Sequence, residues 1–456
     1  MTSAAPVLDV VVENKEISSI LKANKELDQS SICSGSLDNS LVQSPSLESF
    51  STIQDMENLA ELNMDENSDL CIKIDNPQKH LETLETYITF RITTKAARIE
   101  FPENEYCVRR RYNDFIWLRQ RLVEQHPFCI VPPLPGKHTL IGQLDRYSKE
   151  FILLRMKSLN VFMSRIVQHP ILSCNEHLFY FLTAKPQDFA VHRRQKQLDS
   201  KSRSLSISST TQTSLKTRHI EFDKMKTYLA VLYEKLHSVE KISNRIIKER
   251  TEFVTELNNF HPIFTNWATS EPELSGILQG IGHALERMSS SQNILVQNYH
   301  TIMGNPMRDF LNYIDVVQDT LRKRESHQQA YENAIEELNK KHCQKDKLVA
   351  ISQNLESSGS FQLWKPRSCD DQLEKLGSHI PQLMKKVEAN QDYLECANEC
   401  LRSDLDRWQS EKQECVKKIL LDFVNKQIEY ELSKVNAWEQ ITNEITADST
   451  VNNNSK

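Results

Sequence analysis

The chain has 456 residues, with 56 Lys and Arg against 62 Asp and Glu for a formal net charge of −6; 39% of residues are hydrophobic, 26% are charged and only 9 are glycine. So few glycines count against a Gly-rich αβ nucleotide enzyme, and high charge with little glycine favours long helices in two or three folded units. No window approaches the ~18 consecutive apolar residues of a membrane span.

The N-terminal stretch lacks a basic-then-apolar signal pattern, and the ten cysteines are scattered without a C-x-x-C. A soluble cytosolic protein without a disulfide scaffold, metal or cofactor is therefore expected. Charge is uneven along it: net −9 over 1–68, +5 over 69–185, +5 over 186–218 and −7 over the remainder. A basic middle between acidic ends points to an anionic partner.

Residues 1–68 are rich in Ser, Asn, Asp and Glu and hold one Phe and no Trp or Tyr. They bury too little apolar surface to offset ordering entropy and read as a disordered acidic tail. Over 69–185 a compact α+β domain is expected. Leu70–Ile74, Tyr87–Ile92 and Tyr106–Arg111 read as its strands. Asn113 caps a helix carrying Phe115, Leu118 and Leu122 on one face. Val131-Pro-Pro-Leu-Pro135 is extended, because each proline fixes φ and restricts its predecessor. A helix with Phe151, Leu154, Leu159, Phe162 and Ile166 follows, and another near Leu178–Leu182.

Residues 186–218 form a basic linker, with ten Ser or Thr among the fifteen positions 200–214. Phe189, Ala190, Val191 and Leu198 beside Arg193-Arg194-Gln-Lys196 allow an amphipathic helix at a bilayer surface. From 219 the pattern becomes a coiled coil. Phe222, Met225, Leu229, Leu232, Leu236, Val239, Ser243, Ile246, Arg250, Phe253, Leu257 and Phe260 step by three and four. His261-Pro262 should interrupt this helix, Ser270-Glu-Pro-Glu273 should start the next, and Gly304-Asn-Pro306 should kink it. Phe310, Ile314, Val317, Leu321, Arg324, Gln328, Tyr331, Ile335 and Leu338 continue a heptad register. After a turn over 356–368, a third helix, clearest from about 382, carries Leu394, Leu401, Leu405, Trp408, Cys415 and Ile419. Three long helices over 219–450 make an all-α rod that leaves apolar surface exposed, so a dimer is expected.

The densest charge cluster, Arg109-Arg110-Arg111-Tyr112, ends a strand and opens a helix. Alternation puts Arg109 and Arg111 on one face and Arg110 on the other. Lys137 follows the proline loop and Arg155 lies on a helix. A phosphorylated headgroup needs such forks, an ammonium and an aromatic face. From residue types alone, a solvated basic patch or a nuclear-localisation run fits equally. Pro132 to Pro135 also spells an SH3 ligand, but inside a folded domain it serves the loop's shape. Arg322-Lys-Arg324, Lys340-Lys341, Lys345 and Lys347 are further cations for anionic lipid, or a solvated helix face. No Walker loop, G-x-S-x-G or H-E-x-x-H occurs, so no enzyme is expected.

Arg-Arg-Arg-Tyr-Asn-Asp-Phe (109–115), Pro-Pro-Leu-Pro-Gly-Lys (132–137), Phe151-Ile-Leu-Leu-Arg155 and His169-Pro170-Ile-Leu resemble a phox-homology (PX) domain in order and spacing. With the helical rod behind it, and with Thr86-Tyr-Ile-Thr-Phe-Arg-Ile and Ser243-Asn-Arg-Ile, the chain resembles the PX-BAR sorting nexins, most of all the branch of sorting nexins 7 and 30, relatives of sorting nexin 4. The resemblance implies a dimeric, peripheral protein of early or recycling endosomes. It implies binding of phosphatidylinositol 3-phosphate and curved membrane, and action in cargo recycling and autophagy. Arg111 would hold the 3-phosphate, Tyr112 the inositol ring, Lys137 the 1-phosphate and Arg155 the 4- and 5-hydroxyls. Arg110 is the weaker position. Gly136 departs from the Glu frequent among relatives, which removes a negative charge beside Lys137. The expected partner is a second copy or a relative such as sorting nexin 4; a tether whose basic patch takes nucleic acid is the alternative.

Overall fold

The computed structural model describes residues 68–81, 86–136, 147–203, 219–357 and 367–453. The acidic tail, apart from Ser68, and the linker stretch 204–218 lie outside them. Strands β1 (Leu70–Leu81), β2 (Thr86–Ala96) and β3 (Glu105–Arg111) form one antiparallel sheet in the order β1-β2-β3. β1 runs well past Ile74, because a bulge between Asp75 and Gln78 lets the ladder resume. Asn76 takes the left-handed turn there at φ 44°, a conformation asparagine tolerates.

Helix α1 (Tyr112–Gln125) buries Phe115, Leu118 and Leu122 as the spacing predicts, but begins one residue before Asn113. Asp114 Oδ2 accepts the Arg111 N–H at 2.9 Å and takes over the capping. In α2 (Lys149–Val167), Ser148 Oγ accepts the Phe151 N–H, and Ile152, Met156, Leu159, Phe162 and Ile166 are buried, whereas Phe151 and Leu154 stay half-exposed. Helix α3 (Glu176–Thr183), capped by Asn175, and α4 (Pro186–Arg203) complete this part.

The long helices are α5 (Ile220–Ser270), α6 (Ser275–Tyr299), α7 (Asn305–Ser357) and α8 (Arg367–Asn453). The break expected at His261-Pro262 is absent. α5 continues through Pro262, whose neighbourhood is held by Thr265 Oγ1 donating to the carbonyls of His261 and Pro262, with Leu257 and Ala268 buried on either side. α8 likewise starts at Arg367 and runs through Pro381. An interior proline costs about 3 kcal/mol, which packing along so long a helix outweighs. Pro262→Ala should therefore raise stability by about 1–3 kcal/mol, read as a higher melting temperature; an unchanged or lower value would mean the local backbone is no longer helical in character.

The second helix starts at Ser275 rather than at Ser270, because Glu271–Leu274 closes as turns onto the Glu271 and Pro272 carbonyls. At Gly304-Asn-Pro306 the chain makes a π turn, His300–Gly304, joining α6 to α7 without leaving helix. The wider turn accommodates the missing N–H of Pro306.

The heptad register of α5 is internal mainly at its start. Phe222, Leu229 and the half-buried Leu232 and Leu236 join Phe310, Ile314, Val317, Leu321, Leu401, Leu405 and Trp408 in one core. Beyond them Ile247 and Leu257 turn inward, while Val239, Ile246, Phe253 and Phe260 are 39–46% exposed. Val424, Ile428, Val435 and Trp438 of α8 are exposed similarly.

The sheet domain is seated on the long helices by buried contacts. Ile130 enters their core and donates its N–H to Asp404 Oδ2 at 2.6 Å. Arg165 pairs with Asp309 at 2.9 Å and with Glu411, and lies over the Tyr313 ring. Phe128 meets His327 and Tyr393 edge-on, both at 5.0 Å.

Candidate functional site

The arginine run divides as alternation requires, and each side chain has a different task. Arg109 donates from Nε to Thr89 Oγ1 and from Nη2 to the carbonyls of Asn76 and Thr89, closing the β1 bulge. Burial and the nearby Arg91 lower its pKa. Arg110 is 1% exposed and turns inward, donating to the carbonyls of Phe181, Tyr180 and Ala184 at the end of α3. Its guanidinium thus satisfies a helix C-terminus, and it does not join the other expected ligands. Arg111 is the half-exposed member, over the Tyr87 ring at 5.5 Å and 4.0 Å from Asp114.

Tyr112 opens α1 and donates its hydroxyl to the Pro135 carbonyl. Burial pushes its phenol upward in pKa. Arg155, from α2, lies 4.2 Å from the Tyr112 ring centroid and 4.5 Å from that of Phe151, and donates to the Gly136 carbonyl at 2.9 Å. Burial lowers the Arg155 pKa. The extended proline loop is further tied to α1 by Arg119 donating to the Pro132 carbonyl. Three elements therefore converge: the β3–α1 junction, the proline loop and α2. They bring Tyr112 and Arg155 together, while Arg111, next in sequence to Tyr112, lies over Tyr87. Lys137 follows Gly136 directly but lies outside the described residues. Leu134 lines a cavity shared with Asn312, Asp315 and Val316 of α7.

A guanidinium stacked on Tyr112, with a second over Tyr87, suits an anion attached to a hydroxylated ring. Tyr87 and Phe151, the aromatic supports under Arg111 and Arg155, escape a motif reading. Both leave a signal: Thr89 pairs with Arg111 across the sheet, placing Tyr87 on the same face, and Phe151 is four residues before Arg155 on one helix face.

Two further expectations change. In α4, Phe189 is 4% exposed, set against Trp117 at 5.2 Å and Arg110 at 4.2 Å. The largest apolar side chain of the supposed amphipathic helix is thus used inside the fold and cannot enter a bilayer. Arg324 is 2% exposed and donates to Asn398 and Gln328, so it is an internal polar contact of the helices, not a lipid-facing cation. Lys340 pairs with Glu336 at 2.8 Å, as a solvated helix face would.

Cys129, His169 and Asp404 bring three potential metal-ligand atoms within 4.8 Å of one another. His169 Nδ1, however, accepts the N–H groups of Ile171 and Leu172, leaving Nε2 to carry the ring proton toward Asp404 at 3.1 Å. Burial pushes the Cys129 thiol up to about 12. A protonated thiol and an imidazole engaged at both nitrogens form a polar clamp between the sheet domain and α8, not a metal centre.

A model of the PX domain matches residues 98–185, with β1 and β2 completing the same sheet ahead of it, and a model described as Vps5 C terminal like matches 196–444. Sorting nexin-30 of Homo sapiens is 35% identical over 377 residues, covering 82% of this chain and 78% of that protein. Sorting nexin-7 of Homo sapiens is 30% identical over 373 residues, covering 81% and 87%. The cryo-EM structure of the SNX-BAR Mvp1 tetramer shares the fold, with a TM-score of 0.56 at 19% identity over 81% of this chain and 99% of that one.

Proposed function

The chain belongs to the sorting nexin family, with a PX domain followed by a BAR-like helical region, and on that premise we propose that it is a non-enzymatic adaptor of early or recycling endosomes that reads phosphatidylinositol 3-phosphate on curved membrane. The observation that carries this reading is the convergence of Arg155 and of Tyr112, the neighbour of Arg111 in sequence, on the Pro135–Gly136 loop. Arg111 holds the 3-phosphate and Tyr112 supports the inositol ring. Arg155 bonds the 4- and 5-hydroxyls, and Lys137 meets the 1-phosphate from the loop. Arg110 maintains the α3 end behind them. In this reading the PX domain spans 69–185 and the rod 219–450. Among the described residues no helix is long and apolar enough to cross a membrane, so attachment rests on the headgroup and on surface charge.

One pocket contacts a small polar group and binds modestly. A dimer sets two pockets on one surface, and the second contact becomes intramolecular, raising avidity by roughly 10²–10⁴. The exposed stripe Val239, Ile246, Phe253 and Phe260 supports such a dimer, with a second copy or with a relative such as sorting nexin 4. Recycling of cargo and support of autophagy are the cellular outcome in this reading.

Ile246→Lys with Phe253→Lys should convert the dimer to monomer by mass photometry while far-UV helicity persists, because both side chains face away from the chain's own core. Dimer mass that survives the double substitution would remove the stripe from the interface. The headgroup assignment is tested by vesicle sedimentation: the wild-type chain should bind vesicles carrying phosphatidylinositol 3-phosphate and ignore those carrying unphosphorylated phosphatidylinositol at equal lipid.

A further inference from the structure

We propose that the cleft between the end of β3 and α4 is a second anion pocket, separate from the Tyr112–Arg155 cradle, that takes a phosphate monoester. A cavity of about 370 Å³ opens there. Its walls are the arginine run that ends β3, Arg193 and Arg194 of α4, and Phe189. Asp114 is the one acidic side chain among its described lining residues.

That carboxylate is already committed. One oxygen accepts the Arg111 N–H and the other accepts from Arg193 Nη1 at 2.9 Å. Arg110, at the inner wall, is nearly fully buried and has only neutral carbonyl oxygens and aromatic rings as close partners. Burial pulls its pKa down to about 10, with Asp114 acting only at a distance. A buried cation with no counter-ion in contact leaves a positive potential in the adjoining space. An anion entering the cavity offsets that potential, and Arg194, which is exposed at the rim, adds a further fork.

A phosphate monoester fits this surplus, since it carries roughly −1.5 to −2 charges and three acceptor oxygens near neutral pH. The pocket uses α4, which follows the matched PX segment, and shares only the strand end with the headgroup cradle. The same chemistry is available from a lipid headgroup or from a soluble metabolite. The shared strand end, which also carries Arg111, favours a membrane source.

The test uses the full chain carrying Arg155→Ala, so that loss of the cradle and loss of this pocket are read separately. Its probes are phosphatidylcholine vesicles containing phosphatidic acid and no phosphoinositide, and soluble glycerol 3-phosphate. Arg194→Gln should weaken vesicle binding about fivefold and Arg193→Gln with Arg194→Gln about 25-fold, at about 1 kcal/mol per cation near an anionic surface. The single, exposed substitution keeps the test valid if loss of the Arg193–Asp114 pair disturbs folding. Lys417→Gln with Lys418→Gln, an equal charge loss at exposed positions of α8, should change little. Saturable binding of glycerol 3-phosphate that Arg194→Gln weakens identifies a soluble source; an effect seen with vesicles alone identifies a lipid. Equal losses from the α4 and α8 pairs, or no loss from the α4 pair in either arm, would overturn the proposal.

Discussion

Arg111→Ala should lower binding to phosphatidylinositol 3-phosphate vesicles by a hundredfold or more while leaving dimer mass, helicity and melting temperature as they are. A hydrogen bond to a charged group contributes about 1.5–3 kcal/mol, and a guanidinium–phosphate fork makes two. In a dimer both pockets lose it, so the avidity gain disappears as well. Stability should be spared because the contribution of Arg111 to the fold is mainly its backbone: its N–H bonds Asp114, and its side chain is 35% exposed over Tyr87. Arg110→Ala should do the reverse. It removes the guanidinium that satisfies the Phe181, Tyr180 and Ala184 carbonyls, so its first effect is on folding. Vesicle sedimentation beside thermal melts separates the two, and equal vesicle losses without destabilisation would mean that both arginines touch lipid.

Asp404→Ala should destabilise the seat of the PX domain on the rod by about 3–5 kcal/mol, the range for breaking a buried charged pair. Asp404 is 2% exposed; it accepts the Ile130 N–H and the His169 Nε2–H across the junction and pairs with Arg407 on its own helix. The alanine leaves the first two donors buried without an acceptor. Burial alone would raise the Asp404 pKa, but His169, Ile130 and Arg407 outweigh it and hold the carboxyl below its usual range. A carboxyl depressed in the folded state contributes its stability above the unfolded value of about 3.9 and loses it as pH falls through the folded value. The junction should therefore loosen only in strong acid, and the alanine variant should lose that part of the acid sensitivity. Affinity for a soluble headgroup should survive, whereas vesicle binding should fall, because pockets free to swivel no longer face one surface. A variant as stable as wild type in chemical denaturation would show that the clamp is dispensable.

What the sequence discloses about this fold follows from the range of the interactions. The Arg109–Arg111 alternation, the Phe115–Leu118–Leu122 face and the extended proline loop are set within a few residues, and the structure places them as periodicity and proline geometry require. The long helices are legible as helices for the same reason. Their partners are not. A 3,4 step marks an apolar face without saying whether the chain's own core or another molecule covers it, so Val239, Ile246, Phe253 and Phe260 read as one coiled-coil seam with Phe222 and Leu229, although only the latter are buried. Arg324 looks like a surface cation until Asn398 of α8 is seen to meet it. His169 and Asp404 are 235 positions apart, and no local pattern joins them. Pro262 reads as a break because propensity is local, while the burial that overrides it is not.

A crystal structure of the chain with a soluble short-chain phosphatidylinositol 3-phosphate tests the central claim most directly. The 3-phosphate should lie within about 3 Å of the Arg111 guanidinium, with the inositol ring against Tyr112 and its 4- and 5-hydroxyls toward Arg155. A headgroup bound elsewhere, or one whose 3-phosphate meets neither Arg111 nor Arg155, would contradict it.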